Sequence, residues 1–233
     1  EINNDQVLTV LQNNFEACTI HWACQICGII IVPINWRAKS EEIEYFLTDS
    51  ESSLIIFENL SHKEVLQSRK SKDIIKVSIN CKSNDIIDFK DLLKNDKIVN
   101  HSYSSPEDIS LILYTSGTTG NPKGVPRTHL AERSAAIAHI AQNSYARNES
   151  TLGVMPLYHT MGVRSLLAMS LVNGNFITQP KFVAEETLEL IYKFQISSLY
   201  LVPTLFHELI ECSSFNKKKV SSCKKLGFAG ASM

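Results

Sequence analysis

The sequence lacks an excess of charge of either sign. Its 233 residues carry 23 Lys and Arg against 24 Asp and Glu, a formal net charge of −1, which argues against a nucleic-acid or membrane-surface partner. One basic cluster, at residues 217–225, is interpreted as a solvated loop. With 44% hydrophobic residues, the chain can bury a sizeable core in one large α/β domain or two smaller ones.

Cysteines are few, and long hydrophobic runs are absent. The six cysteines do not form the dense framework of a small secreted domain, so we expect reduced thiols and a cytoplasmic location. No apolar run reaches the length of a transmembrane helix, and no basic region precedes an apolar one at the start, as a signal peptide requires. There is no initiator Met, so upstream targeting remains open.

His21, Cys24 and Cys27 fall at three-residue steps and raise the question of a metal site. A zinc site needs a fourth ligand and usually a second paired element. The surrounding residues are apolar, so a packed helix is the favoured interpretation.

Strands and helices alternate along the chain, which predicts an α/β fold with a largely parallel sheet covered on both faces. The predicted strands are at residues 6–11, 29–32, 54–57, 74–79, 110–114, 151–155, 176–178, 198–201 and 226–228. Helices are predicted from Glu16 to a stop at Gly28, after an N-cap at Ser40, at 128–145, 162–171 and 184–194, and from Pro203. A polar stretch before residue 106 is interpreted as a variable connection. It separates a partial first subdomain, 1–105, from a partial second one, 106–233.

The strongest chemical signal is a loop predicted at residues 115–124. It contains the glycines Gly117, Gly120 and Gly124, the hydroxyl residues Thr115, Ser116, Thr118 and Thr119, and the lysine Lys123. Glycines let the backbone approach a ligand closely and adopt positive φ. Free N–H groups, hydroxyls and an ammonium together describe a polyphosphate cradle. The spacing is not that of a Walker-type P-loop, in which Lys directly follows the second Gly, and the alternative is a polar surface loop.

This loop resembles the phosphate-binding signature of adenylate-forming enzymes, which include acyl-CoA ligases, luciferases and peptide-synthetase adenylation domains. The resemblance implies the large N-terminal domain of such an enzyme, with stacked, mostly parallel sheets flanked by helices. It implies that residues 115–124 bind the phosphates of ATP while a carboxylate attacks the α-phosphate, and that coenzyme A takes up the acyl group. Lys123 would stabilise the departing pyrophosphate, and Thr118 or Thr119 would help to hold Mg²⁺.

Two further segments resemble motifs of the same family. The segment Met155-Pro156-Leu157-Tyr158-His159-Thr160-Met161-Gly162 is similar to a motif that borders the acyl pocket, which implies pocket roles for Tyr158, His159, Thr160 and Met161 and makes His159 a catalytic candidate. The segment Phe228-Ala229-Gly230-Ala231-Ser232-Met233 is similar to one that lines the adenine and acyl sites, which implies binding roles for Gly230, Ala231 and Ser232.

The sequence also departs from the family pattern. Family members continue into a Tyr-Gly-x-Thr-Glu motif that helps to bind Mg²⁺, an Asp that binds ribose, and a small C-terminal domain with a catalytic Lys. None of these is present, so we expect a fragment that is incomplete at both ends and inactive by itself, because several transition-state contacts are lost together.

Four functions remain open at this point. The leading one is an acid–CoA ligase acting on a small-molecule carboxylic acid, with motifs that resemble aryl- and acyl-CoA ligases such as chlorobenzoate–CoA ligases. An amino-acid adenylation domain would instead feed a carrier protein, and a luciferase-like oxygenase would emit light. A nucleotide-binding remnant would bind without turnover.

Overall fold

The computed structural model of the chain describes residues 5–81, 83, 85–94, 104–115 and 120–230. The chain divides into two compact units, Glu1–Leu130 and Ala131–Met233. The first unit contains β1 (Gln6–Val10), α1 (Phe15–Cys27), β2 (Ile30–Pro33), α2 (Ser40–Asp49), β3 (Leu54–Glu58), α3 (His62–Gln67), β4 (Ile75–Ile79), β5 (Ile87–Asp88), α4 (Phe89–Leu92), β6 (Ile109–Thr115) and β7 (Lys123–Thr128).

The second unit begins within helix α5 (His129–Asn143), two residues after its start. It continues with β8 (Ser150–Gly153), α6 (Thr160–Leu171), β9 (Asn175–Thr178), α7 (Ala184–Phe194), β10 (Ser198–Leu201), α8 (Pro203–Glu211) and β11 (Lys225–Phe228).

The first unit, as far as the structure describes it, is built on a seven-stranded sheet in the order β5-β4-β3-β1-β2-β6-β7. All neighbours pair in parallel except β6 and β7, which are antiparallel. The central strands are apolar on both faces, as expected for a parallel sheet covered by helices. Their core joins strand residues such as Leu8, Val32 and Phe57 to Ile43 and Leu47 of α2.

The second unit has its own core around a four-stranded sheet in the described residues, ordered β11-β10-β8-β9 with every pair parallel. Leu152 and Leu201 of the sheet pack with Leu188, Ile191 and Leu209 of α7 and α8. The predicted α/β class with mostly parallel sheets is therefore confirmed in both units.

The boundary between the units lies later than the predicted one. The sequence placed it after residue 105, whereas the structure divides the chain after Leu130. The physical reason is that β6 pairs with β2, at Ile31 and Leu111, and β7 pairs with β6. The hairpin therefore completes the first sheet.

Local sequence signals explain most element ends. Helix α1 is capped by the Asn14 side chain, which accepts a hydrogen bond from the Ala17 N–H at 2.8 Å, and it ends at Gly28 in the left-handed conformation, as predicted. Pro203 occupies the first turn of α8, also as predicted. The predicted N-cap at Ser40 is wrong by one residue: Lys39 takes that position, and its N–H donates to the Glu42 carboxylate at 2.8 Å.

The largest local difference follows the Gly-rich loop. The sequence predicted a loop to residue 124 and a helix from 128, but Lys123–Thr128 forms β7 and α5 starts at His129. Pro126 lies inside this strand. Because β7 is the last strand in the described sheet, the missing proline N–H removes no bond from a strand on its outer side.

Candidate functional site

The β6–β7 hairpin carries the predicted phosphate-binding residues. Thr115, the last residue of β6, pairs with Lys123, the first of β7, and Tyr114 pairs with Gly124. The predicted residues Ser116, Gly117, Thr118 and Thr119 lie outside the described residues. The backbone pairing therefore places a lysine directly opposite the threonine at the base of the loop.

Gly120 and Lys123 have the properties that a phosphate site needs. Gly120 has φ +131°, a conformation that favours glycine, and a Cβ added there would meet no atom within 4 Å. The Lys123 side chain is exposed and has no ion-pair partner among the described residues. An open backbone turn next to an exposed ammonium can accept an anionic ligand.

His159 lies where the polypeptide passes from β8 into α6. It has an extended backbone and is the N-cap of α6, and its carbonyl accepts from the Gly162 and Val163 N–H groups at 3.1 and 3.3 Å. Its imidazole makes no capping bond, is exposed, and lies 4.7 Å from the Tyr158 ring. Partial burial holds the pKa of His159 below its usual value, so the neutral imidazole predominates at pH 7.

The start of α6 depends on Gly162, a residue of the second motif for which the sequence suggested no role of its own. A Cβ at Gly162 would lie 2.2 Å from the Pro156 carbonyl oxygen and 2.4 Å from that of Met155. Any side chain would push the first turn of α6 away from the preceding segment. Gly162 therefore fixes Tyr158, His159, Thr160 and Met161 relative to β8.

Gly230 is the only predicted residue of the last motif that the structure describes, since Ala231 and Ser232 lie outside the described residues. It follows β11, has φ +90°, and approaches Val202, which directly follows β10. Because β8, β10 and β11 are parallel, His159 and Gly230 both follow the carboxyl ends of strands in one sheet. Ligands of open α/β sheets bind at that edge.

The structure adds two contacts at the hairpin that sequence reasoning missed. The Tyr45 hydroxyl donates to the Pro122 carbonyl at 2.7 Å, and the Tyr114 hydroxyl donates to the Asp49 carboxylate at 2.6 Å. Burial, and then the bond to Asp49, raise the pKa of Tyr114 well above its usual range, so it remains a donor. The only sequence signal was the spacing of four between Tyr45 and Asp49, which places both on one side of α2.

The spaced residues His21, Cys24 and Cys27 lie on α1. Burial lowers the pKa of His21 to about 4, with a further effect of His129, and burial raises the pKa of Cys24 to about 12. Within the described ranges, no group of three or more His, Cys, Asp and Glu side chains could hold a metal ion. No helix in the described part of the chain combines the length and apolarity needed to cross a bilayer.

Comparison with known proteins gives two informative relatives. The chain is 29% identical over 210 residues to the mitochondrial malonate–CoA ligase of Xenopus laevis, covering 88% of this chain and 36% of that protein. It is 27% identical over 237 residues to a 4-chlorobenzoate–CoA ligase of an Arthrobacter species, covering 100% of this chain and 44% of that protein. Less than half of the length of either relative is thus represented.

A solved structure extends the likeness to the fold. The inhibitor-bound N-terminal domain of FACL13 from Mycobacterium tuberculosis matches with a TM-score of 0.84 at 23% identity, over 99% of this chain and 58% of that one. The fold is therefore that of the N-terminal domain of adenylate-forming enzymes. The family model described as AMP-binding enzyme matches residues 3–233. Since that match spans nearly the whole sequence, the chain belongs to the AMP-binding enzyme family.

Proposed function

We propose that the full-length protein containing this chain activates a carboxylic acid with ATP, forming an acyl-AMP and pyrophosphate, and transfers the acyl group to coenzyme A. The observation that carries the proposal is the base of the β6–β7 hairpin. There, exposed Lys123 pairs with Thr115 through the backbone, and the space around the Gly120 Cα is free for a ligand. Membership of the AMP-binding enzyme family supports a nucleotide at this hairpin. The CoA-ligase names of the relatives support the acceptor.

The residues of the hairpin suit adenylyl transfer because that chemistry asks the protein mainly to position groups and neutralise charge. Thr115, Gly120 and Gly124 would present backbone and hydroxyl groups to the β- and γ-phosphates, together with the residues at 116–119. Lys123 would hold the pyrophosphate as the bond to the α-phosphorus breaks. Mg²⁺ would bridge phosphate oxygens, and a hydroxyl of Thr118 or Thr119 is a suitable hard ligand.

The segment around His159 is proposed to border the carboxylic acid. A neutral imidazole next to the Tyr158 ring offers a hydrogen-bonding group beside an apolar face, which suits a carboxylate that carries an organic tail. Thr160 and Met161 would complete this wall. Gly230, with Ala231 and Ser232, would lie against the adenine and the acyl group, because small residues leave room for a flat ligand.

The proposal names a class of carboxylic acid rather than one compound. Relatives of similar identity act, by their names, on malonate and on 4-chlorobenzoate, a short diacid and an aromatic acid. We therefore propose that the substrate is a small organic acid, which the exchange assay with a panel of acids will identify.

We further propose a reducing compartment such as the cytoplasm. Burial raises the pKa of Cys18 and Cys223 to about 11, which keeps both thiols protonated and slow to oxidise. Fluorescence microscopy of the tagged full-length protein, with mass spectrometry of its thiols, tests this location. Oxidised, paired cysteines in the native protein would contradict it.

Acid-dependent exchange of labelled pyrophosphate into ATP tests the function. The full-length protein is assayed with a panel of short diacids, aromatic acids, fatty acids and amino acids, and active acids are then offered coenzyme A or a phosphopantetheinylated carrier protein. Exchange with an organic acid and formation of its CoA thioester are the expected results. Loading of an amino acid onto the carrier would identify an adenylation domain, light emission would indicate an oxygenase, and ATP binding without exchange would indicate a non-catalytic remnant.

A further inference from the structure

Helix α2 contacts both arms of the β6–β7 hairpin. On one arm, the Tyr114 hydroxyl donates to Asp49 at 2.6 Å, and Tyr114 directly precedes Thr115. On the other arm, the Pro122 carbonyl accepts from the Tyr45 hydroxyl at 2.7 Å, and Pro122 directly precedes Lys123. One helix thus bonds to Tyr114 and Pro122, the residues that directly precede Thr115 and Lys123.

Helix α2 is itself fixed to the first unit. Ile43, Phe46 and Leu47 are buried in the core of the sheet. The N–H of Ser40 at its first turn donates to the Glu64 carboxylate at 3.0 Å. An element held at its end and along one side is a rigid reference for groups that it touches.

The aromatic contacts reinforce this attachment. The Tyr114 ring lies edge-on to Phe46 at 4.6 Å and to Tyr45 at 6.4 Å between centroids. Such edge-to-face contacts are favourable and directional. The hydroxyls of Tyr45 and Tyr114 therefore reach their partners from rings that packing already holds in place.

The hairpin needs such a reference because of its position in the sheet. Among the described strands, β7 pairs only with β6, so its outer side has no neighbouring strand. The bond from Tyr45 to Pro122 is a second attachment of that arm, independent of the β6–β7 pairing. It acts one residue away from the ammonium-bearing Lys123.

We infer that Tyr45 and Asp49 are positioning residues that set the hairpin, and with it Lys123, for the β- and γ-phosphates of ATP. The inference rests on the proposed function. A merely structural role would lower the stability of the first unit without distinguishing among ligands. A positioning role affects ligands that carry the outer phosphates and spares AMP, which lacks them.

The test compares single-group variants of the full-length protein. Tyr45→Phe removes only the hydroxyl, and Asp49→Ala removes the acceptor, whereas Asp49→Asn retains an oxygen acceptor. For Tyr45→Phe and Asp49→Ala we expect KM for ATP and for pyrophosphate to rise about fivefold, the effect of losing one hydrogen bond. The inhibition constant of AMP and the KM of the acid should stay unchanged, the melting temperature should fall by no more than a few degrees, and Asp49→Asn should recover most of the affinity.

Two matched controls separate loop positioning from general effects. Tyr192→Phe makes the same chemical change at an exposed tyrosine of α7. Thr48→Val alters the neighbour of Asp49; the Thr48 hydroxyl donates within α2, to the Glu44 carbonyl at 2.8 Å. Both should leave every constant within about twofold of the wild type, the scatter expected of surface substitutions.

A thermodynamic cycle of Tyr114→Phe and Asp49→Ala adds a second criterion. If the two groups act through their shared bond, the double variant should be no worse for ATP than either single one. The inference would be overturned if the variants kept the wild-type KM for ATP and pyrophosphate, or if the inhibition constant of AMP rose in parallel. In either case, exchange activity of the wild type would leave the proposed function intact. If the wild type exchanged with no acid, the proposed function would fail, and calorimetric ATP affinities of the same variants would still decide the inference.

Discussion

In the second sheet, the amino ends and the carboxyl ends of the strands carry polar residues of different kinds. We call these two sides the amino edge and the carboxyl edge. The amino edge, defined by Glu149, Ser197 and Lys225, is hydrogen-bonded and partly buried, with the Glu149 side chain buried. The carboxyl edge, defined by His159 and Gly230, is exposed. The same parallel strands therefore hold one polar group that stabilises the fold and another that is available to a ligand.

At the amino edge, the Glu149 carboxylate lies at the centre of a complete network. It accepts from the Ser197 hydroxyl, the Lys225 ammonium and the Ala146 N–H, the last at 3.1 Å. Burial opposes its ionisation, but the bonds from Lys225 and Ser197 outweigh burial and hold the pKa of Glu149 below its usual value. The basic cluster interpreted from sequence as a solvated loop thus includes two lysines with ion-pair partners, Lys225 with Glu149 and Lys219 with Glu189.

At the carboxyl edges, polar side chains are left available. His159 makes no capping bond on α6, and in the first unit Lys123 is exposed beside the end of β6. A group used for catalysis gains from such availability, because its interactions should form with the transition state. Substitutions at the two kinds of edge should therefore separate activity from stability.

The largest expected effect is on activity, at Lys123. Lys123→Met keeps the length of the side chain and removes its charge, so the rate of pyrophosphate exchange should fall about a hundredfold or more, as when one preorganised donor to a transition state is lost. The melting temperature should not change, because the pairing of Lys123 with Thr115 uses backbone groups. Exposed Lys63 provides the control, and a Lys63→Met variant that lost equal activity would refute the assignment.

The next effect is on stability, at the amino edge. Lys225→Met leaves the Glu149 carboxylate buried without its cation and should cost about 2 kcal/mol, discounted from a fully buried pair because Lys225 is partly exposed. That corresponds to roughly 4–8 °C in melting temperature. Exchange per folded molecule should be preserved.

The surface pair Lys219–Glu189, at 2.7 Å, is the matched comparison for that experiment. Because Glu189 is exposed, Lys219→Met should change stability by about 0.5 kcal/mol or less. Equal losses in the two variants, measured by thermal denaturation, would show that the Glu149 network has no special role.

A smaller effect is expected at His159. His159→Ala should lower kcat/KM for the acid about tenfold, equivalent to roughly 1.4 kcal/mol, with an unchanged melting temperature. The control is His207→Ala, which removes an exposed imidazole paired with Glu211 on α8. The measurement is kcat/KM of both variants with the preferred acid. Comparable losses in the two variants would contradict a role of His159 in the acid pocket.

The smallest effect concerns pH. Burial, with a further effect of Arg164, lowers the pKa of His139 to about 4, against an ordinary value of 6.5. The unfolded chain then binds more protons between these values, so stability is fully present above pH 6.5 and is lost as the pH falls towards 4. His139→Gln should therefore reduce the loss in melting temperature between pH 7 and pH 5, and an undiminished loss would argue against a buried neutral imidazole.

Glu149 acts in the same direction at lower pH. Since its folded pKa is depressed, its contribution is present above the unfolded pKa of about 4.5 and disappears as the pH falls through the folded value. The two groups together predict an acid-sensitive second unit.

Much of this organisation follows from local sequence signals. Gly28 predicts the end of α1, Pro203 predicts the start of α8, and alternating apolar segments predict the parallel sheets. These features depend on residues close together in the chain, where conformational preference and burial act in the same direction.

The features that were wrong or missing depend on contacts between distant residues. Strand β7 contains Pro126 and exposed positions that do not alternate cleanly, and only its pairing with β6 makes it a strand. Tyr45 and Asp49 lie on α2 like ordinary polar surface residues until their partners, 77 and 65 positions away, are known. The composition of the loop predicts a phosphate site, which stays a prediction, whereas the attachment of the hairpin to α2 is visible only in the structure.

The proposed attack of the carboxylate on the α-phosphorus of ATP can be followed with an isotope label. The full-length protein is given its preferred acid with both carboxylate oxygens labelled with ¹⁸O, together with ATP and coenzyme A, and the nucleotide products are analysed by mass spectrometry. Acyl-AMP formation predicts AMP carrying one ¹⁸O and pyrophosphate carrying none, because the bridging oxygen stays with phosphorus when the thiol attacks. Label in inorganic phosphate, with ADP as the nucleotide product, would contradict the account.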